Sequence, residues 1–268
     1  MVTAIGTGTG EVTGRAAPGS TGERSEGIAP QKTSATKAMR VLGGLSLVLA
    51  PLGLAIGWAL NYDSLAAFFD FNVANLYLTE GRSASNEQFL ATITSPDGGF
   101  RSFALPHYFV YVSMPIFIAA SLYLARSLFG KAPWLALIGA TLTSIGAVYF
   151  IGVLGAWLSF PAIATIPVGQ PADLLPILAT LSKVQGILLV STMLSILLMV
   201  GMMILGVGLF RSRIVPRKFA TLVILGNLLI LAFGGVENWM VVGAILMLIG
   251  LSPLAIKGLL ARNQDWAS

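Results

Sequence analysis

The side chains with chemical potential are few and lie far apart in the sequence. His107, in Leu105-Pro-His-Tyr108, is the only histidine, and there is no cysteine. One histidine cannot supply both axial ligands of a haem or a histidine zinc site, and without thiols there is no disulfide, thiol catalysis or cysteine-ligated metal. His107 could still titrate at a membrane surface; the plainer reading makes it an interfacial side chain beside Tyr108. Glu237 and Asn238 separate the last two apolar runs, which puts a carboxylate at the tip of a helical pair. An ionisable group in a membrane segment is a functional candidate by default, but a tip position at the interface tolerates it. Gln185 stands near the start of another run. His107, Tyr108, Gln185, Glu237 and Asn238 are therefore the candidate ligand-binding residues. No catalytic constellation, cofactor motif or metal site is predicted.

The elements that must position these groups are membrane helices. Hydrophobic residues make up 56% of the 268-residue chain and charged residues 10%, with a mean hydropathy of +0.84. A soluble domain carries about 25% charged residues. Apolar runs of about twenty residues replace that charge, each long enough to cross roughly 30 Å of hydrocarbon as a helix. Six such spans are predicted, near 41–60, 104–124, 134–158, 184–210, 219–236 and 239–256. The expected fold class is thus all-α, a polytopic membrane helix bundle. A membrane barrel would need alternating strands, which the sequence lacks.

Orientation follows from Arg211, Arg213, Arg217 and Lys218, four basic residues within eight positions between two apolar runs. Basic loops resist transfer across the membrane, so this loop is expected to be cytoplasmic. Thirteen of the sixteen Lys and Arg residues then fall inside, leaving Arg82, Arg101 and Lys183 outside, while seven of the eleven acidic residues fall outside. Both termini are expected in the cytoplasm. The net charge of +5 is explained by this asymmetry, so no nucleic-acid partner is expected.

Residues 1–36, rich in Gly, Thr, Ser and Ala, cannot bury enough apolar surface to offset ordering entropy and read as a disordered cytoplasmic tail, with 37–268 as the transmembrane domain. The first outer connection, 61–103, is acidic. Leu65, Phe68, Phe69, Val73, Leu76 and Tyr77 recur in it at helical spacing, predicting a short interfacial helix. Ser85-Asn-Glu-Gln88 is a capping box ahead of a second one at 89–93. In the second outer connection four prolines forbid a long helix but leave room for a short one at 172–181. Gly53 and Gly57 form a GxxxG pattern, expected to serve packing within the bundle. Pro115 should kink the second span. Hydroxyls such as Thr143, Thr192 and Ser195 can return their hydrogen bonds to their own helices, whereas Asn227 should face another helix.

Ser85-Asn-Glu-Gln-Phe-Leu-Ala-Thr-Ile93 followed by Phe100-Arg-Ser-Phe103, the Leu124-Ala-Arg-Ser-Leu-Phe-Gly-Lys-Ala-Pro133 turn, and Phe210 with Val215-Pro-Arg217 give a familiar layout. Over about 38–260 the chain resembles a broad group of bacterial six-span membrane proteins defined by a domain of unknown function. The resemblance implies a bacterial plasma membrane protein and transfers no activity.

Three functions fit these readings. The first is a non-enzymatic accessory or structural subunit of a membrane assembly, partnered by membrane lipid and by another membrane protein or a second copy. The second is a transporter or channel for a small neutral or apolar molecule. The third is an enzyme acting on lipid or quinone at the outer face, with His107 and Glu237 as its acid–base pair. The absence of charged residues from the predicted spans favours the first.

Overall fold

Why these helices can lie so close together is answered by glycine. A computed structural model of the chain describes residues 33–60, 87, 90–95, 99–181, 186–233 and 237–260. The described residues are helical with turns, and no strand occurs among them. The long helices are α1 (Thr33–Ala59), α2 (Leu105–Leu128) and α3 (Pro133–Leu158). The short α4 (Leu175–Leu181) follows two 3-10 turns, Phe160–Thr165 and Pro171–Leu174. Next come α5 (Gly186–Ser195), α6 (Leu197–Ser212), α7 (Arg217–Ala232) and α8 (Glu237–Leu260).

The long helices close a ring. α1 packs on α2 and α8, α8 on α7, α7 on α6, α6 on α3, and α3 on α2, while α2 and α6 also touch across the middle. Ring neighbours run antiparallel at contacts where side chains are missing. A Cβ at Gly53 would strike the Ser113 hydroxyl, and one at Gly57 would meet Val110 and the Pro106 carbonyl at 2.8 Å. The GxxxG pattern therefore serves packing between α1 and α2. Gly201 and Thr143 seat α6 on α3, and a Cβ on Gly250 would stand 2.7 Å from the Phe219 carbonyl oxygen, so its absence seats α8 on α7. Between these contacts lies one apolar core, with Leu47, Phe117, Leu124, Leu198, Leu205 and Met247 among its most buried members.

Five helical segments are long and apolar enough to cross a membrane: Lys37–Ala59, Leu105–Leu128, Pro133–Thr165, Gly186–Ser212 and Asn238–Leu260. The chain is a multi-pass helical membrane protein. The run expected at 219–236 becomes α7, with 16 residues. At 1.5 Å per residue that is about 24 Å, short of the hydrocarbon thickness.

Other expectations meet local differences. The run at 184–210 is two helices, α5 and α6, broken at Ile196. The backbone there lies against Gly146 of α3, where a Cβ would run into Leu197 and Leu198. The Ser195 hydroxyl bonds back to the Thr192 carbonyl at 2.7 Å, a local competitor of the helical ladder. α2 continues as one helix through Pro115. α1 begins at Thr33, four residues before the expected domain boundary. The expected tail over 1–32 and the interfacial helix around 65–77 lie outside the described residues.

The second capped segment is helical at 90–93. Leu90 and Ile93 share a small apolar cluster with Ile163 and Leu174, so parts of the two long connections pack on each other. The short helix expected at 172–181 begins as a 3-10 turn and continues as α4.

Candidate functional site

His107 is buried, with 7% of its surface exposed, so it is not the interfacial side chain expected from its position beside Tyr108. The two are neighbours in sequence but point apart, since successive helical residues differ by about 100°. Tyr108 is 49% exposed on the outer surface of α2.

The His107 ring sits among three aromatic side chains. Phe103 lies tilted at 4.3 Å between centroids, and the rings of Trp58 on α1 and Trp157 on α3 stand edge-on at 6.0 and 5.7 Å. Nδ1 stands 2.7 Å from the Phe103 carbonyl oxygen. A carbonyl can only accept, so Nδ1 carries the proton, and in the neutral ring Nε2 is left as the acceptor.

A local backbone device holds Phe103 in place. Residues Phe100–Ala104 form a π-helical turn entered from Gly99, which has φ 73°, in the left-handed region where glycine is unstrained. The Gly99 carbonyl accepts from the N–H groups of both Phe103 and Ala104, at 2.9 and 3.0 Å. The Phe103 carbonyl thus lies four residues before His107, one turn back along the same helix, where the ring nitrogen bonds to it.

Trp58 is 5% exposed, and its Nε1–H has no hydrogen-bond partner. An orphaned buried donor of this kind costs about 1–3 kcal/mol. The niche thus contains an imidazole acceptor and an unused indole donor, both on apolar walls. Among the described residues, the groups against the His107 ring are the three aromatic rings and the Phe103 carbonyl.

The remaining candidates are distributed elsewhere. Glu237 is the first residue of α8, and α1 stands between α8 and α2. Asn238 is buried, and its Oδ1 accepts from the Trp239 backbone N–H at 2.9 Å. Gln185 lies outside the described residues. Among the described residues no three His, Cys, Asp or Glu side chains come together.

Within the bundle the polar groups mostly satisfy themselves. Ser46, Ser113, Ser121 and Thr143 return bonds of 2.7–2.8 Å to carbonyls in their own helices. Asn227, expected to face another helix, is fully buried in the bundle but bonds within its own helix. Its Nδ2 donates to the Val223 carbonyl at 2.8 Å, and its Oδ1 has no partner. Sequence reasoning missed Trp58 and Trp157 as partners of His107, because nothing in the linear order joins 58, 107 and 157.

Comparison of the chain with protein-family models, with curated proteins and with solved structures finds no match.

Proposed function

We propose that this chain is a non-enzymatic integral membrane protein of the bacterial plasma membrane, with six spans and both termini cytoplasmic, serving as an accessory or structural subunit of a membrane assembly. Six spans are supported by α7. Though short, it runs antiparallel along α8 from the Phe219–Gly250 contact to the Phe233–Trp239 ring stack at 5.1 Å. Orientation is supported by the helix ends that share a side. The start of α1 meets the end of α8 through Gly44 and Ala255, and the end of α6 meets the end of α2 through Gly208 and Leu128. Lys37, Arg40, Arg126, Lys131, Arg211, Arg213, Arg217, Lys218 and Lys257 all belong to that side. Glu87, Asp173 and Glu237, the acidic residues among those described, belong to the other.

The observation that carries the subunit reading is α5. It has ten apolar and hydroxyl residues and no buried one, while Ile187, Met193 and Val190 are 78%, 54% and 49% exposed. Its packing is chiefly against α3. A photo-crosslinking residue at Met193 in native membranes should give one protein adduct of discrete mass, and the same residue at Val112 on α2 should give lipid adducts. Lipid adducts alone at both positions would overturn the reading.

A second reading, ligand binding at the outer face, is favoured by the unused Trp58 donor beside His107. It asks only for a small neutral molecule and no charged lining.

A further inference from the structure

Arg40 lies one turn into α1 from Lys37, and only 6% of its surface is exposed. Its Nε has no hydrogen-bond partner. A guanidinium stays charged at any physiological pH, and a buried charge is costly unless an anion meets it. The acidic residues among those described, Glu87, Asp173 and Glu237, all belong to the opposite side of the bundle. Orientation across the membrane accounts for Lys37, Arg126 and Lys257, which are exposed. It does not account for burying Arg40, because an exposed arginine would serve orientation as well.

The surroundings of Arg40 are built closely. Tyr123 of α2 interacts electrostatically with it. The Tyr123 ring fills the space where Gly43 has no side chain, and its hydroxyl lies against Gly258 of α8. Gly44 and Gly258 bring α1 and α8 together at the same level, with 3.4 Å between the Gly44 Cα and the position of a Cβ on Gly258. The Arg126 guanidinium reaches back to the Met39 sulfur at 3.9 Å. One buried cation, a phenol and three exposed cations thus converge at the basic end of α1, α2 and α8.

We infer that this corner binds the phosphate of an anionic phospholipid, with Arg40 as the buried anchor and Lys37, Arg126 and Lys257 as the outer rim. A phosphate diester carries one negative charge and several acceptor oxygens, which match a guanidinium fork flanked by a hydroxyl. Assigning the lipid to the cytoplasmic leaflet rests on the proposed orientation; binding at this end of the bundle does not.

The test uses the full chain in nanodiscs, which present the same lipid to both ends, so its outcome is independent of topology. Replacing phosphatidylcholine by phosphatidylglycerol should raise the Tm by about 5 °C. Arg40→Gln should abolish that difference, while Lys131→Gln, which removes an exposed charge elsewhere on the same end, should keep it. If Arg40→Gln fails to fold, native mass spectrometry of the unaltered chain in mixed lipid should retain phosphatidylglycerol over phosphatidylcholine. Equal loss in both variants, or no preference for the anionic lipid, overturns the inference. A response to inorganic phosphate in phosphatidylcholine discs, equal to that of the lipid, would assign the site to free phosphate and overturn the lipid source. If phosphatidylglycerol stabilises only Asp265→Asn, the chain's own carboxylate fills the site and the inference fails.

Discussion

Gly226 of α7 and Gly243 of α8 face each other so closely that a Cβ on either would collide with the other's carbonyl oxygen. The contact sits in the apolar middle of both helices, away from the charged residues at their ends, where no ion pair can set the register. In a bilayer there is little hydrophobic drive for helices to associate, so close backbone approach supplies the attraction.

Gly243→Ala should therefore lower stability by about 1–3 kcal/mol, through overpacking against backbone that cannot swing aside. Gly152→Ala is the matched control: it also lies in a helix, and nothing stands within 4 Å of its added Cβ. Thermal unfolding in detergent should separate the two. Equal Tm values would mean that the α7–α8 contact contributes nothing.

The topology can be read chemically, because the chain has no cysteine. Single cysteines at Ser95 and Thr180 should react with an impermeant thiol reagent added outside sealed cells. Those at Ser127, Ser212 and Ser268 should react only after lysis. External labelling of position 212 would invert the proposed orientation.

Trp58→Phe removes a buried N–H while keeping an aromatic ring beside His107. Relief of the orphaned donor offsets part of the cavity left by the smaller ring, so with nothing bound beside His107 the loss should stay below about 2 kcal/mol and be the same in detergent and in native lipid. A loss larger in native lipid than in detergent by more than about 1 kcal/mol would mean that Nε1–H has a partner there and would favour the outer-face ligand reading.

Asn227→Leu makes the same comparison in the middle of α7. The amide bonds to its own helix and leaves Oδ1 without a partner. An apolar side chain of similar volume should be neutral or stabilising by about 1 kcal/mol. Denaturation showing a loss above about 2 kcal/mol would reveal a bound water or other donor at Oδ1.

Much of the architecture was legible because a bilayer imposes simple rules. Apolar run length had to mark the helices, since a backbone in hydrocarbon has few other ways to satisfy its hydrogen bonds. Gly53 and Gly57 were readable as packing positions, and Thr143 as a hydroxyl bonded to its own helix, because both properties are local. The run at 184–210 misled at one point: hydropathy cannot register a break at Ile196, where the backbone packs against Gly146 on another helix. The length of α7 was similarly hidden, because hydropathy does not mark where the hydrogen-bond ladder stops.

The sequence alone determined that the chain is helical, crosses a membrane several times and gathers its basic residues between alternate spans. Each of these depends on composition along a line. Only the tertiary structure decided that His107 is buried between Trp58 and Trp157, and that Arg40 is buried while Lys37 beside it stays exposed. Burial is a property of neighbours in space. In a helix every side chain's surroundings are set by which face the neighbouring helices cover, and apolar spans this uniform carry little record of which face that is.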